Sequence, residues 1–66
     1  MRASNWVHLE VEEILKETPK AFYLFIDGQG YWIPKSQIAD PENYSEGDVN
    51  ATVSVTEWIA DEKGLE

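Results

Sequence analysis

The chain has 66 residues, enough for one small domain that buries only about 60% of the surface its unfolded form exposes, and this excludes a large enzyme built around a deep cleft. Thirteen acidic residues stand against five basic ones, and the resulting net charge of −8 repels nucleic acid and anionic membrane surfaces at long range. With no cysteine, disulfide frameworks and thiolate metal sites are excluded, and 42% hydrophobic residues are enough to expect a folded core rather than disorder.

In chain order, Met1 to Trp6 carry no apolar run after Arg2, and no window approaches the length of a membrane span, so a cytoplasmic protein is expected. Asn43-Tyr44-Ser45 and Asn50-Ala51-Thr52 fit the glycosylation pattern, which matters only in a secreted chain. Val7, Leu9 and Val11 alternate with His8, Glu10 and Glu12, the period of a strand with one wet face. Strict alternation would then turn Glu13 inward and Ile14 outward, so a bulge near Glu12-Glu13 is expected to return Ile14 to the core. Glu17-Thr18-Pro19-Lys20 reads as a turn, and Ala21 to Ile26, dense in aromatic and branched residues, as the next strand. Asp27-Gly28-Gln29-Gly30 supplies a hairpin loop, after which Tyr31-Trp32-Ile33 returns antiparallel until Pro34 ends it.

Asp40 to Asp48 is polar, broken by Pro41 and Gly47, and reads as a loop. Val49, Ala51, Val53 and Val55 then alternate with Asn50, Thr52, Ser54 and Thr56, giving a fourth strand with its valines inward. Glu57 to Leu65 combines acid in the first turn, Lys63 near the end and a glycine stop, the pattern of a short helix. A left-handed Gly64 would fold Leu65 back on Ile59 or Ala60, and Trp58 is expected to face the core. The residues thus describe a single domain, 1–66, mainly β: a small SH3-like barrel of four to five antiparallel strands with a short C-terminal helix. An OB-type barrel is the alternative, disfavoured because its intervening helix would have to occupy Asp40 to Asp48.

Tyr31-Trp32-Ile33-Pro34-Lys35-Ser36-Gln37-Ile38, together with Glu17-Thr18-Pro19-Lys20-Ala21, Val55-Thr56-Glu57-Trp58-Ile59-Ala60 and Lys63-Gly64-Leu65, resembles a group of small, mostly uncharacterised bacteriophage and prophage proteins. The resemblance spans residues 7 to 65. It implies a bacterial host cell and brings no catalytic residue with it. Locally, Trp32 to Ile38 is similar to the place in SH3 domains where a strand meets a proline and one helical turn. In SH3 domains a tyrosine in that turn helps to form the proline-peptide groove, and here no aromatic stands near Gln37.

Catalysis has little to work with. His8 is the single histidine, on the wet face of the first strand, and Ser36 and Ser54 have no base near them in sequence. No enzyme, no cofactor and no metal are expected. Gly28-Gln29-Gly30 precedes a strand where a dinucleotide fingerprint needs a helix. Asp40, Glu42, Glu46 and Asp48 offer hard oxygen ligands, but Ser45 stands where an EF-hand needs glycine, so a solvated loop is expected.

Binding explains more of the sequence. Eight aromatics in 66 residues exceed what so small a barrel easily buries, and an aromatic cluster ringed by charge has the make-up of an interface. The candidate binding residues are Tyr23, Phe25, Tyr31, Trp32 and Lys35, with an acidic surface of Glu10, Glu12, Glu13 and Glu17 that would select a basic partner. The expectation is a non-enzymatic module that binds another protein or a second copy of itself, with an uncovered edge such as Val49 to Thr56 available for pairing across a two-fold axis. Two alternatives compete with it: a single-strand nucleic-acid accessory using the aromatics beside Lys16, Lys20 and Lys35, and an acidic inhibitor of a host nucleic-acid enzyme.

Overall fold

The computed structural model describes residues 5–65; the expected absence of a leader rests partly on residues 1–4 and to that extent lies outside them. Among these residues, four antiparallel strands form one sheet in the order β3-β2-β1-β4, followed by a short helix. The strands are β1 (Trp6–Glu17), β2 (Ala21–Ile26), β3 (Gln29–Pro34) and β4 (Val49–Thr56), and the helix is α1 (Glu57–Glu62). Leu9, Val11, Ile14, Phe22, Leu24, Ile33, Ile38, Val53, Val55, Ile59 and Ala60 make the core. No polar or charged side chain is buried among the described residues. Nor is any of their helices long and apolar enough to cross a membrane.

Alternation in the first half of β1 sends Leu9 and Val11 inward and leaves His8 and Glu10 in solvent. Glu12 and Glu13 are then both exposed, and Ile14 is fully buried, so the inward face resumes one position out of phase. The bulge lies elsewhere than expected: the pairing with β2 shifts between Ile14 and Lys16, making Leu15 the extra residue. Against β4 the register is kept from Trp6–Thr56 to Glu13–Val49, while Asn50 adopts φ 52. A left-handed residue turns the chain sharply, so β4 bends alongside β1 without an insertion. The consequence reaches Val49, which was expected inside and is 60% exposed, whereas Val53 and Val55 are buried.

The β1–β2 turn is organised by Thr18. Its hydroxyl accepts from the backbone N–H of Ala21 at 3.0 Å, and its own N–H donates to the Ala21 carbonyl at 2.8 Å. The β2–β3 loop is two residues long, not four: Asp27 and Gly28 have φ 52 and 83, as a type I′ hairpin turn requires of both central residues. Gln29 and Gly30 therefore belong to β3, opposite Ile26 and Phe25. Pro34 ends that strand, and a single 3-10 turn, Lys35–Gln37, follows.

β3 and β4 are the two ends of the sheet, and the strand ladders do not run full circle. The segment after β3 nevertheless reaches β4, through one bridge between Ile38 and Val55 and a 2.9 Å bond from Ala39 N–H to the Ser54 carbonyl. Tyr44 Oη donates to the Thr52 carbonyl at 3.0 Å. The β4 edge expected to be open is thus partly covered. An open edge lies on β1, where Trp6 to Val11 pair with β4 alone among the described residues.

At the end of β4, Thr56 caps α1: its Oγ1 accepts from Ile59 N–H at 3.2 Å and donates to Gln37 Oε1 at 2.6 Å. Gly64 has φ 70, and Leu65 N–H returns to the Ala60 carbonyl at 2.8 Å, which folds Leu65 back onto the core as expected. Trp58 does not face the core. The cap sets the rotation of the helix so that Ile59 and Ala60 point inward, and Trp58 is 63% exposed.

Candidate functional site

Tyr23 and Phe25 alternate with the buried Phe22 and Leu24, so they lie on the solvent side of the β2–β3 hairpin, partly covered rather than buried. Trp32 is the cross-strand partner of Tyr23; their ring centroids are 4.8 Å apart, with planes tilted by 34°. Such a pair gains about 0.5–1.5 kcal/mol beyond simple burial. Lys16 pairs with Tyr23 from the other side, which makes one row of Lys16, Tyr23 and Trp32. The neighbouring row is Val49, Glu13, Phe25 and Gly30 across all four strands. Gly30 makes room there: a Cβ would stand 2.9 Å from Tyr23 Cε1 and closer to Cζ and Oη, so the phenol in its present position lies over the glycine.

Of the five sequence-derived candidates, Tyr23, Phe25 and Trp32 share this face, and Tyr31 and Lys35 do not. Tyr31 pairs with the buried Leu24, packs against the core and donates its hydroxyl to Gln29 Oε1 at 3.0 Å. Lys35 sits with its Nζ 4.8 Å from the Phe22 ring centroid and 2.7 Å from Glu17 Oε2, at the end of the sheet where β1 and β3 finish.

The four acidic candidates separate in the same way. Glu10, Glu12 and Glu13 are exposed along β1, whereas Glu17 is held by Lys35 and by the Glu46 backbone N–H at 3.3 Å. The hydrogen bond from Lys35 holds the Glu17 carboxyl below the usual carboxylate range. A depressed folded-state value means that the interaction contributes above the unfolded value and is lost as pH falls through the folded one. Lys35→Met is expected to raise the Glu17 titration in a carboxyl-carbon NMR experiment, the Glu46 N–H bond still remaining, and to remove the Lys35 contribution at neutral pH; identical titrations in both proteins would refute the assignment.

Two features are invisible in sequence because strand register creates them. His8 Nδ1 and Ser54 Oγ stand 2.7 Å apart as cross-strand neighbours. The pair lies on exposed strand surface, and no carboxylate orients the ring among the described residues, so the third element of a nucleophilic triad is missing. Trp6 and Trp58 are also largely exposed, on the strand and helix joined by the Asn5 carbonyl and Glu57 N–H. In the Asp40 to Asp48 loop, Asp48 Oδ2 accepts from Ser45 N–H and Glu46 Oε1 from Glu17 N–H, so two of its carboxylates brace backbone. No group of three or more His, Asp or Glu among the described residues is placed to hold a metal ion.

A family model described as YcxB-like protein matches residues 10–46, more than half of the chain. The chain belongs to the YcxB-like protein family. No curated protein and no solved structure matches it. The YcxB-like span begins within β1, runs through the hairpin and ends before β4, so it contains Glu13, Lys16, Tyr23, Phe25, Gly30 and Trp32. Val49 is the member of the two rows outside it.

Proposed function

We propose that this YcxB-like protein is a non-enzymatic protein-binding module of bacteriophage type, working in the cytoplasm of a bacterial cell through the outer face of its β2–β3 hairpin. The observation that carries the reading is the placement of Tyr23, Phe25 and Trp32 together on the solvent side, with Trp32 44% exposed although the core is complete without it. Exposed aromatics gathered at one place and flanked by charge are what interface centres are made of. The fold is read as a strongly curled sheet on an SH3-like barrel plan, supported by the Ile38–Val55 bridge between the region after β3 and the far strand. A net charge of −8 favours a basic partner over an acidic one. A second copy of the chain would have to overcome that charge.

Trp32→Ala tests the reading. The substitution is expected to lose about 0.5–1.5 kcal/mol from the ring pair and, beyond it, the modest burial of a side chain that is 44% exposed, so the circular dichroism spectrum of the folded chain should persist at low temperature. Loss of a central interface aromatic typically costs about 2 kcal/mol or more of binding, so proteins cross-linked to the wild type in bacterial lysate should be missing with the variant. An unchanged cross-linking pattern sinks the proposal. Binding to single-stranded oligothymidylate in dilute buffer that collapses with added salt would instead support the nucleic-acid alternative.

A further inference from the structure

The outer face also suggests what its partner brings. Glu13 lies directly between Val49 and Phe25, a carboxylate set within an apolar row. It takes part in no salt bridge among the described residues, where the single ion pair is Lys35–Glu17. On the other side of Phe25, Gly30 leaves the space into which Tyr23 extends its hydroxyl. That hydroxyl makes no hydrogen bond with another described residue, in contrast to those of Tyr31 and Tyr44. The row thus reads carboxylate, aromatic ring, phenol oxygen, and cross-strand neighbours stand about 4.5–5.5 Å apart at their Cβ atoms.

We infer that this row is a seat for an arginine side chain of a protein partner. The planar guanidinium would stack on Phe25, donate to the Glu13 carboxylate on one side and donate to Tyr23 Oη on the other. Arginine fits better than lysine because its flat, forked donors can stack and make paired hydrogen bonds at once, whereas an ammonium is a compact, strongly hydrated point charge. Trp32, stacked on Tyr23, lies beside the seat and would cover the aliphatic stem. Among the described residues the nearby cations leave it open: Lys35 is held by Glu17, and Lys16 stands in the neighbouring row opposite Tyr23. Exposed Glu10 and Glu12 on the same strand add negative charge that draws a basic segment toward it. The inference rests on the protein-binding reading and specifies the chemistry of its partner.

The probe is hexa-arginine, titrated into the intact chain and followed by amide NMR shifts, with hexalysine and hexacitrulline as comparisons. Hexa-arginine is expected to bind most tightly and to shift the resonances of Glu13, Phe25 and Gly30 most. Glu13→Gln should weaken it about tenfold, a typical loss for one charge-assisted hydrogen bond, while the control Glu42→Gln, which removes an equal charge from the exposed loop, should change affinity less than about twofold. Equal losses in the two variants, or no preference for arginine over lysine, would overturn the seat, because attraction would then follow net charge alone. Tighter binding of oligothymidylate than of hexa-arginine would overturn it as well. The two proposals fail separately: if Trp32→Ala abolishes cross-linking and Glu13→Gln leaves both cross-linking and hexa-arginine binding intact, the module stands and the arginine seat falls.

Discussion

Ile14→Ala is expected to leave most of the chain unfolded at 37 °C. Ile14 is completely buried and pairs with the equally buried Leu24. Its backbone exchanges bonds with the loop just before β4, donating to the Asp48 carbonyl and accepting from Gly47 N–H, each at 2.8 Å. It therefore joins three parts of the fold at the point where β1 changes face. Truncating such a side chain costs about 2–5 kcal/mol, and a domain of this size rarely has more than about 3–5 kcal/mol in total. Thermal denaturation followed by circular dichroism checks this, with Leu15→Ala as the comparison. Leu15 is the extra residue of the bulge and is only partly buried, so its loss should be felt far less. A melting temperature of Ile14→Ala within a few degrees of the wild type would mean that the face change is not structural.

The second large effect is expected at Gly30. An alanine there cannot coexist with the present position of the Tyr23 phenol, so the ring must swing away and its stacking on Trp32 must break. Overpacking of this kind costs about 1–3 kcal/mol. Because the offending atoms belong to the end of a side chain and not to backbone, the fold should survive at low temperature, with altered tryptophan fluorescence and displaced Tyr23 ring resonances. On the proposed arginine seat, the Tyr23 hydroxyl would be displaced too, so hexa-arginine affinity should drop along with the change in fluorescence. Adding Tyr23→Ala removes the clash, and the double variant should be more stable than the sum of the single effects predicts. Strict additivity would show that the glycine serves some other purpose.

Why these two positions matter could not be read from residue patterns alone. The need for Ile14 to return to the core was legible in the broken alternation after Val11, but the means was not: the bulge falls at Leu15, and Asn50 bends the partner strand. Gly30 looked like half of a flexible loop because it follows Gly28 so closely. Register places it opposite Phe25, with Tyr23 lying over it. Tyr31 and Trp32, adjacent in sequence, part company for the same reason: neighbouring residues of a strand face opposite sides, and the pairing of Tyr31 with Leu24 decides which one is inside. Lys35 was grouped with the aromatics by proximity in sequence, whereas the 3-10 turn beyond Pro34 carries it to Glu17.

By itself, the sequence determined what depends on a few consecutive residues: the aromatic strand Ala21–Ile26, its proline-led turn, the end of β3 at Pro34, and the glycine stop that returns Leu65 to the core. It also set the net charge of −8. Only the tertiary structure decided which aromatics are left outside and which acids stand beside them. Inward and outward are properties of a bent, paired sheet: one bulge at Leu15 and one left-handed residue at Asn50 reassign whole sets of side chains. Through them Val49 came out of the core and Glu13 came to stand beside Phe25. Thirteen acids against five bases are a matter of composition; the place of Glu13 between Val49 and Phe25 is a matter of register.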